Sequence, residues 1–424
     1  MKKLILTIFC YLHLSGAIVS NEFVKSDIDI LKDLDIESSY IKDQKFQDYY
    51  SNFSNRYERN YADSFNNGED YIPEISSILK ENNVPSVFLY MAMAESNFLL
   101  DAKSKRSAMG LWQFMPGTAT ELGLKKNKYV DERMDFIKST EAAVKYLTKL
   151  HGIFGSWYLA ALSYNAGDGR VIEAITRATI DIYCKENDCT NNKTIQGYKK
   201  TLNDYERGRA KFRDVNEIYK VVKGWNNYKP TINHLLSEKK GASRQYLPPE
   251  SRNYIKKIIS LAMINNSDTM AKNSTRIVNR GNNSSLVRVD VSGGMLLKNI
   301  ASLAGVTTDK LKKLNPHLKS NITPPSDKKT QLYIPQSKLV EFNENKKNVK
   351  TNTVAKNENE NKNVLEDDLD AIESDYVKTY IIKKGDNLFR VAKQYGTTMD
   401  KIMKDNNLKS SKVKQGDKIV IKLK

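Results

Sequence analysis

The sequence predicts a mainly α protein: one large helical domain at 71–264, then two small units of strand, helix, helix and strand. Three observations carry this. Apolar residues recur at three- and four-residue spacing through most of 71–264, as in Ile72, Ile75, Ile78 and Leu79, across Met134 to Leu150, and in Ile255, Ile258, Ile259 and Ala262. A β-branched run, a turn, two short helical stretches and a closing run are legible at 286–336 and again at 376–424. Polar or charged low-complexity segments, 265–285 and 337–375, separate these blocks and read as linkers, the second flexible.

A chain of 424 residues suffices for roughly two to four domains. Its 68 basic and 50 acidic residues leave a net charge of +18, which suits an anionic partner without choosing between nucleic acid, a membrane surface and a polymer carrying carboxylates. The N-terminus narrows the choice. Lys2 and Lys3 precede an apolar run from Leu4 to Leu14, and small residues follow at Ser15, Gly16, Ala17 and Ser20. Residues 1–20 therefore have the layout of a secretory signal peptide, cleaved near Ala17 or Ser20. The run is too short for an ordinary membrane span. Export to the periplasm or cell envelope is expected, away from most nucleic acid, and the sequence holds no recognised nucleic-acid module. Membrane association stays open, since Cys10 could be lipidated, although Phe9 stands where a lipoprotein signal needs a small residue. Oligomeric state is open as well. In an oxidising compartment Cys184 and Cys189, spaced CKENDC, are disulfide candidates; without further Cys or clustered His beside them, no metal and no other cofactor is expected.

Residues 21–70 are polar, with Tyr and Asn throughout and a weak helical pattern from Ile28 to Ile36, and read as an irregular or partly helical lead-in. The helical domain is organised around VPSVFLYMAMAESN at 84–97, with Pro85 and Ser86 suited to a helix start. There Val84, Val87, Phe88 and Met91 form a buried stripe that Glu95 continues one turn later. A carboxyl on an apolar helix loses solvation, which favours its protonated form and suits a general acid; a structural Glu satisfied by hydrogen bonds is the alternative. Gly110 to Gly117 predict a turn presenting Trp112, Gln113 and Phe114, an aromatic and amide set that suits a sugar. Tyr158 to Leu162 form an apolar helix that closes through Ser163, Tyr164 and Asn165 to a stop at Gly167. Pro248, Pro249 and Glu250 open a last helix, on which Tyr254 shares a stripe with Ile258 and could reach a buried carboxyl.

Taken in order, AES at 94–96, GLWQFMPGTA at 110–119, SYNAG at 163–167 and ESRNY at 250–254 resemble the motifs of the lysozyme-like lytic transglycosylases of peptidoglycan, in the version of the membrane-bound lytic murein transglycosylase D type. The resemblance implies a lysozyme-like catalytic domain with Glu95 as the catalytic acid and Ser96, Gln113, Asn165 and Tyr254 as substrate-holding or acid-supporting residues. It also implies a chemistry for a single acid. Glycoside hydrolysis ordinarily takes two carboxyl groups. Asp101, near Glu95 in sequence, stands on a loop rich in Lys and Ser, and Glu250 reads as a helix N-terminal charge. In the family the acid protonates the bond between N-acetylmuramic acid and N-acetylglucosamine, then takes a proton from the muramyl 6-hydroxyl, which closes a 1,6-anhydro ring in place of water. A wall-binding scaffold without activity and a hydrolytic muramidase are the other readings.

Residues 376–424, with YIIKKGDNLFRVAKQYG and QGDKIVI, resemble a LysM module, a binder of N-acetylglucosamine polymers. Gly385, Asp386, Asn387 and Leu388, between its first strand and first helix, are the carbohydrate-binding candidates. Residues 286–336 repeat the plan faintly, with Ser292, Gly293 and Gly294 in place of the Gly-Asp turn, and read as a degenerate LysM-like module, either binder or spacer. The partner implied throughout is the glycan strand of peptidoglycan.

Overall fold

The computed structural model describes residues 24–239, 241–242, 244–265, 285–326, 328–348, 377–383, 386–395, 397–408, 410–411 and 413–422. The leader expected at 1–20 lies outside the described residues, as do 266–284 and 349–375 of the linkers and residue 376. By its contacts the chain divides into two units, residues up to 99 with 140–282, and residues 100–139 with 283 onward. The mainly α class is borne out, with β structure confined to two-stranded sheets among the described residues.

In chain order the first unit holds α1 (Lys25–Asp33), α2 (Gln44–Gly68), α3 (Ile72–Glu81) and α4 (Phe88–Ser96). After α5 (Pro116–Glu121) in the second unit, α6 (Phe136–Phe154) leads back into the first. There follow α7 (Trp157–Ala166), α8 (Asp168–Glu186), α9 (Lys193–Glu206), α10 (Phe212–Val222), α11 (Ile232–Leu236) and α12 (Pro249–Asn265). The hub is α12, which packs against α1, α2, α4 and α7. Its sequence explains why. Tyr254, Ile255, Ile258, Ile259, Leu261, Ala262 and Met263 give it a broad apolar face, and all are buried.

The lead-in is more ordered than its polarity suggests. Along the 25 residues of α2, Tyr49, Phe53, Tyr57, Tyr61 and Phe65 recur every four positions, each ring 5.0–6.4 Å from the next. Tyr61 and Phe65 are buried, and Tyr61 Oη donates to Leu261 O at 3.2 Å, docking this stripe on α12. Asn and Ser between the rings lower the average hydropathy without interrupting the face that packs.

Glu173 on α8 is wholly buried and accepts from Arg170 Nη1 at 2.5 Å, Arg244 Nη2 at 2.6 Å and Arg177 Nε at 2.9 Å. Burial pushes its carboxyl up, but the surrounding guanidinium groups, Arg244 first, hold it below the usual carboxylate range. Arg170 also donates to Gln245 O, so this cluster fastens the segment entering α12 to α8.

In the second unit, β1 (Leu286–Val291), α13 (Leu297–Leu303), α14 (Thr308–Leu314) and β2 (Thr330–Pro335) form the first βααβ module. β1 pairs antiparallel with β2, Leu286 opposite Pro335 and Val291 opposite Thr330. Part of the segment expected as a linker at 337–375 is helical. Residues 339–348 form a further helix, α15 (Leu339–Asn348), because Phe342, 1% exposed, plugs the core built by Val289, Leu297, Ile300 and Leu332. At the altered turn, a Cβ on Gly293 would stand 2.3 Å from Ser326 O and 2.6 Å from Pro324 O, so only glycine fits there. Next to it Thr323 N donates to Met295 O at 2.9 Å and Leu297 N to Asn321 O at 2.7 Å, sealing 293–297 against 321–326.

This module also holds segment 100–139. Asp131 N donates to His317 O at 2.9 Å and Lys319 N to Tyr129 O at 2.8 Å, a strand-like bridge around Val130 and Leu318. Behind it Tyr333 Oη donates to the buried Asp135 Oδ1 at 2.6 Å and its ring lies 4.4 Å from that of Phe136.

The last module consists of β3 (Val377–Ile381), α16 (Leu388–Gln394), α17 (Met399–Asp405) and β4 (Lys418–Lys422), with β3 antiparallel to β4 around a core of Ile382, Val391, Ile402, Ile419 and Ile421. One device marks the two modules as copies of one plan. Asn406 accepts from Val420 N and donates to Val420 O, both at 2.6 Å; in the first module Asn315 does the same to Tyr333, at 2.7 and 2.8 Å. Each asparagine clamps the end of the second helix to the closing strand.

Replacing Glu173 by Gln leaves three arginines around a neutral amide and is expected to lower the urea-unfolding free energy by about 3 kcal/mol near neutral pH. Because the folded pKa is depressed, wild-type stability from this carboxylate is present above the ordinary Glu value and lost as pH falls through the depressed one. The gap between variant and wild type should therefore close on acidification.

Candidate active site

α4 carries Glu95. The helix starts at Phe88, three residues beyond Pro85 and thus later than the sequence suggests, and Asn97 ends it with a φ of 50°. Phe88 and Met91, on the stripe leading to Glu95, are fully buried, while Glu95 itself is half-buried. From α12 the buried Tyr254 donates its Oη to Glu95 Oε1 at 2.5 Å, joining residues 159 positions apart. One turn along α12, Lys257 Nζ donates to Ala94 O at 2.7 Å.

Burial pushes the Glu95 carboxyl up to about 7; the Tyr254 hydrogen bond and the Lys257 charge oppose the shift, and Glu250 adds to it. Tyr254 is driven well above the usual phenol value, first by burial and then by the Glu95 charge, so it stays a donor. Burial lowers Lys257, and Glu95 holds it up. Tyr164 is raised by burial and then by Glu95, which brings it within the electrostatic reach of the same carboxyl. The site is thus a carboxyl poised to hold or release its proton near neutrality, gripped by a phenol.

The other expected residues fall out as follows. Asn165, in the last turn of α7, accepts at Oδ1 from Ser251 Oγ at 2.7 Å, which ties α7 to the start of α12 and leaves the Nδ2 amide as a donor. Ser96 is buried and donates Oγ to Ala92 O at 3.1 Å, so its hydroxyl serves its own helix rather than the acid. Gln113 belongs to the second unit, in a turn where its own φ is 49° and that of Gly110 is 82°. Its Nε2 donates to Gly110 O at 2.8 Å and Ala102 O at 2.9 Å, which leaves Oε1 as the group it can offer. That turn is anchored from below: Arg133, paired with Asp131 at 2.7 Å and buried, donates to Ser107 O at 2.9 Å and Phe114 O at 3.1 Å. Trp112 is fully buried and acts as core.

Among the LysM candidates, Gly385 lies outside the described residues. Asp386 Oδ2 accepts from Tyr380 Oη at 2.7 Å and Lys383 N at 2.8 Å, and Asn387 Oδ1 accepts from Arg390 N at 2.9 Å, so both shape the turn. Leu388 corrects the expectation: at 1% exposure its side chain fills the module core and has no surface to offer a sugar. Cys184 and Cys189 are joined in a disulfide at the end of α8. Among the described residues no cluster of metal-ligating side chains occurs.

Sequence reasoning missed Lys257 and gave Tyr164 no role. Lys257 could have been found, since it follows Tyr254 by three residues and so shares its helix face. Tyr164 lay inside a recognised motif, but only the packed geometry distinguishes it from its neighbours.

Residues 73–182 match the Transglycosylase SLT domain, 285–351 the Lytic transglycosylase MltD, LysM-like domain, and 380–422 the LysM domain. The first match covers Glu95, Gln113 and Asn165 and stops before Tyr254, whose place beside the acid rests on the fold. Over 360 residues, 83% of this chain, the sequence is 25% identical to the Membrane-bound lytic murein transglycosylase D of Escherichia coli strain K12. It is 41% identical over 83 residues, 19% of this chain and 6% of the relative, to the Peptidoglycan transglycosylase gp16 of Escherichia phage T7. The chain spans 63% of the length of the first of these relatives. The resemblance drawn from the four motifs and the two modules is borne out by these matches.

A pKa of about 7 in the fold against 4.5 for an ordinary Glu means that between those values the folded chain holds a proton the unfolded chain has released. Stability therefore falls as pH rises through that window. Glu95→Gln removes the loss, and the variant is expected to exceed wild type in urea-unfolding free energy by about 1–3 kcal/mol at pH 8 while matching it near pH 4.

Proposed function

We propose that this chain is a lytic transglycosylase that cleaves the β-1,4 bond between N-acetylmuramic acid and N-acetylglucosamine in peptidoglycan and leaves 1,6-anhydromuramyl ends. The observation that carries the reading is the Tyr254 hydroxyl on Glu95 at 2.5 Å, together with a carboxyl pushed up to about 7. A carboxyl poised there can donate a proton to the glycosidic oxygen and then, as carboxylate, accept one from the muramyl 6-hydroxyl. Because the attacking hydroxyl belongs to the sugar itself, the step gains from intramolecularity and needs neither a second carboxylate nor a cofactor. Tyr254 and Lys257 steady the carboxylate once it has given up its proton; the Nδ2 amide of Asn165 and the Oε1 of Gln113 are the groups proposed to hold the glycan. The C-terminal LysM module is proposed to keep the enzyme on its polymer, raising the local concentration of scissile bonds.

Action in the periplasm or cell envelope, after removal of residues 1–20, accords with the disulfide between Cys184 and Cys189. Attachment to a membrane is suggested by the printed name of the Escherichia coli relative; no helix among the described residues is long and apolar enough to cross one.

A hydrolytic reading has one observation in its favour: Glu250 adds its charge to those acting on Glu95, so a second carboxylate is within electrostatic reach. The products separate the two. Mass analysis of soluble fragments from purified peptidoglycan should give anhydro ends with wild type, whereas reducing ends would identify a hydrolase. Glu95→Gln is expected to cut fragment release by about a thousandfold or more with the fold intact; release at the wild-type rate would refute the assignment. Tyr254→Phe removes a bond that lowers the Glu95 pKa, so the high-pH fall of kcat/KM should move upward while the rate drops roughly tenfold to a hundredfold.

A further inference from the structure

At the far end of α8 from Asn165, the first unit has a cavity of about 460 Å3 that the catalytic chemistry does not use. Its walls include Tyr183 on α8, Thr194 on α9, and Trp225, Asn226, Asn227 and Tyr228 in the turn after α10. Tyr183 stands fifteen residues beyond Asp168, where α8 begins, so it lies about 22 Å along the helix from the neighbourhood of Asn165. No lining residue is shared with the Glu95 site.

Three features give this cavity a chemistry. Its wall is aromatic and fixed: the Tyr183 ring lies 5.0 Å from both Trp225 and Tyr228, and all three are half-buried, so each keeps exposed ring surface. Its rim is amide and hydroxyl: Asn226, Asn227 and Thr194 are exposed, and their side chains make no hydrogen bond within the described residues. It is also uncharged. No Asp, Glu, Lys or Arg lines it, on a chain that is 28% charged. The disulfide between Cys184 and Cys189, just after Tyr183, closes the loop that leads to α9, and Asn192 caps that helix by accepting from Ile195 N at 3.1 Å.

A phosphate or a charged peptide would find no counterion here, and a purely apolar ligand would leave the amides unmatched. A pyranose matches both surfaces, with its C–H face against an indole or phenol ring and its hydroxyls toward amides. An acetamido substituent adds an amide partner for Asn226 or Asn227. We propose that this cavity is a second glycan site, taking one uncharged N-acetylated sugar ring of a strand that the Glu95 site does not itself hold. The inference rests on the proposed function only for the identity of the polymer. Cleavage and this binding are separate properties of the first unit.

The chain contains three tryptophans, so the full protein labelled with 5-fluorotryptophan gives three fluorine resonances, and Trp225→Phe assigns the one of interest. In a Glu95→Gln background, which prevents turnover, the Trp225 resonance should move saturably with tri-N-acetylchitotriose and stay in place with sodium phosphate or trialanine. Asn226→Ala with Asn227→Ala, both at exposed positions, should weaken that response about tenfold. A Trp225 resonance unmoved by the trisaccharide, one that responds equally to phosphate, or an unchanged affinity in the double variant would each overturn the proposal. Anhydro-product release by the otherwise wild-type double variant on short soluble strands should be unaltered, so failure of the cavity and failure of the Glu95 reading give different results.

Discussion

The hydrogen bond from Tyr254 to Glu95 is the constraint that organises the first unit. For it to form, α4 and α12 must meet although most of the domain separates them in sequence, and α12 must be apolar enough to sit at the centre of the bundle. The same apolarity strips water from the carboxyl and sets its acidity. Packing and chemistry are therefore one requirement: any change that loosens α12 moves the phenol and rehydrates the acid, and since burial is the largest cause of the shift, rehydration returns the carboxyl toward its ordinary value. The supports around it follow from this. The aromatic stripe of α2 covers one side of α12, Ser251 ties its first turn to Asn165, and the Glu173 cluster fastens the strand of chain that enters it.

The second unit solves a different problem, how to fix a long irregular segment. Residues 100–139 contain little regular structure beyond α5 and the start of α6, yet Arg133 anchors two backbone carbonyls around the Gln113 turn while its partner Asp131 bonds to the first βααβ module. A buried ion pair earns its place here through the carbonyls it orders rather than through its own net energy. The module whose sequence left binder and spacer open has one surface committed to this segment.

Much of the site was legible because helical periodicity is local. Glu95 on the stripe of Phe88 and Met91, and Tyr254 on that of Ile258, follow from spacing alone, and their meeting follows from the demand that a buried carboxyl find a donor. Both βααβ modules were legible from their strand and turn residues, whereas the asparagine that clamps each second helix to the closing strand emerges only from the fold. What escaped depended on partners distant in sequence. α2 looked too polar because its apolar content is concentrated in one stripe, and α15 looked like linker because only Phe342, with Leu339 partly buried beside it, packs on the core. Leu388 looked available because a turn motif gives no indication of which way its last residue faces. The hydroxyl of Ser96 turns back on its own helix, a choice that sequence adjacency to Glu95 does not reveal.

The contact between Gly293 and the backbone of 324–326 has an evolutionary consequence. Two repeats of one plan in one gene invite unequal recombination, which would normally shuffle or homogenise them. Here the first repeat has a turn that only glycine fits and an edge bonded to residues 129–131. A crossover would give a chain whose middle repeat no longer grips the segment bearing the Gln113 turn. The Gly293 turn and the bridge at Val130 and Leu318 are thus what fit the first repeat to this segment.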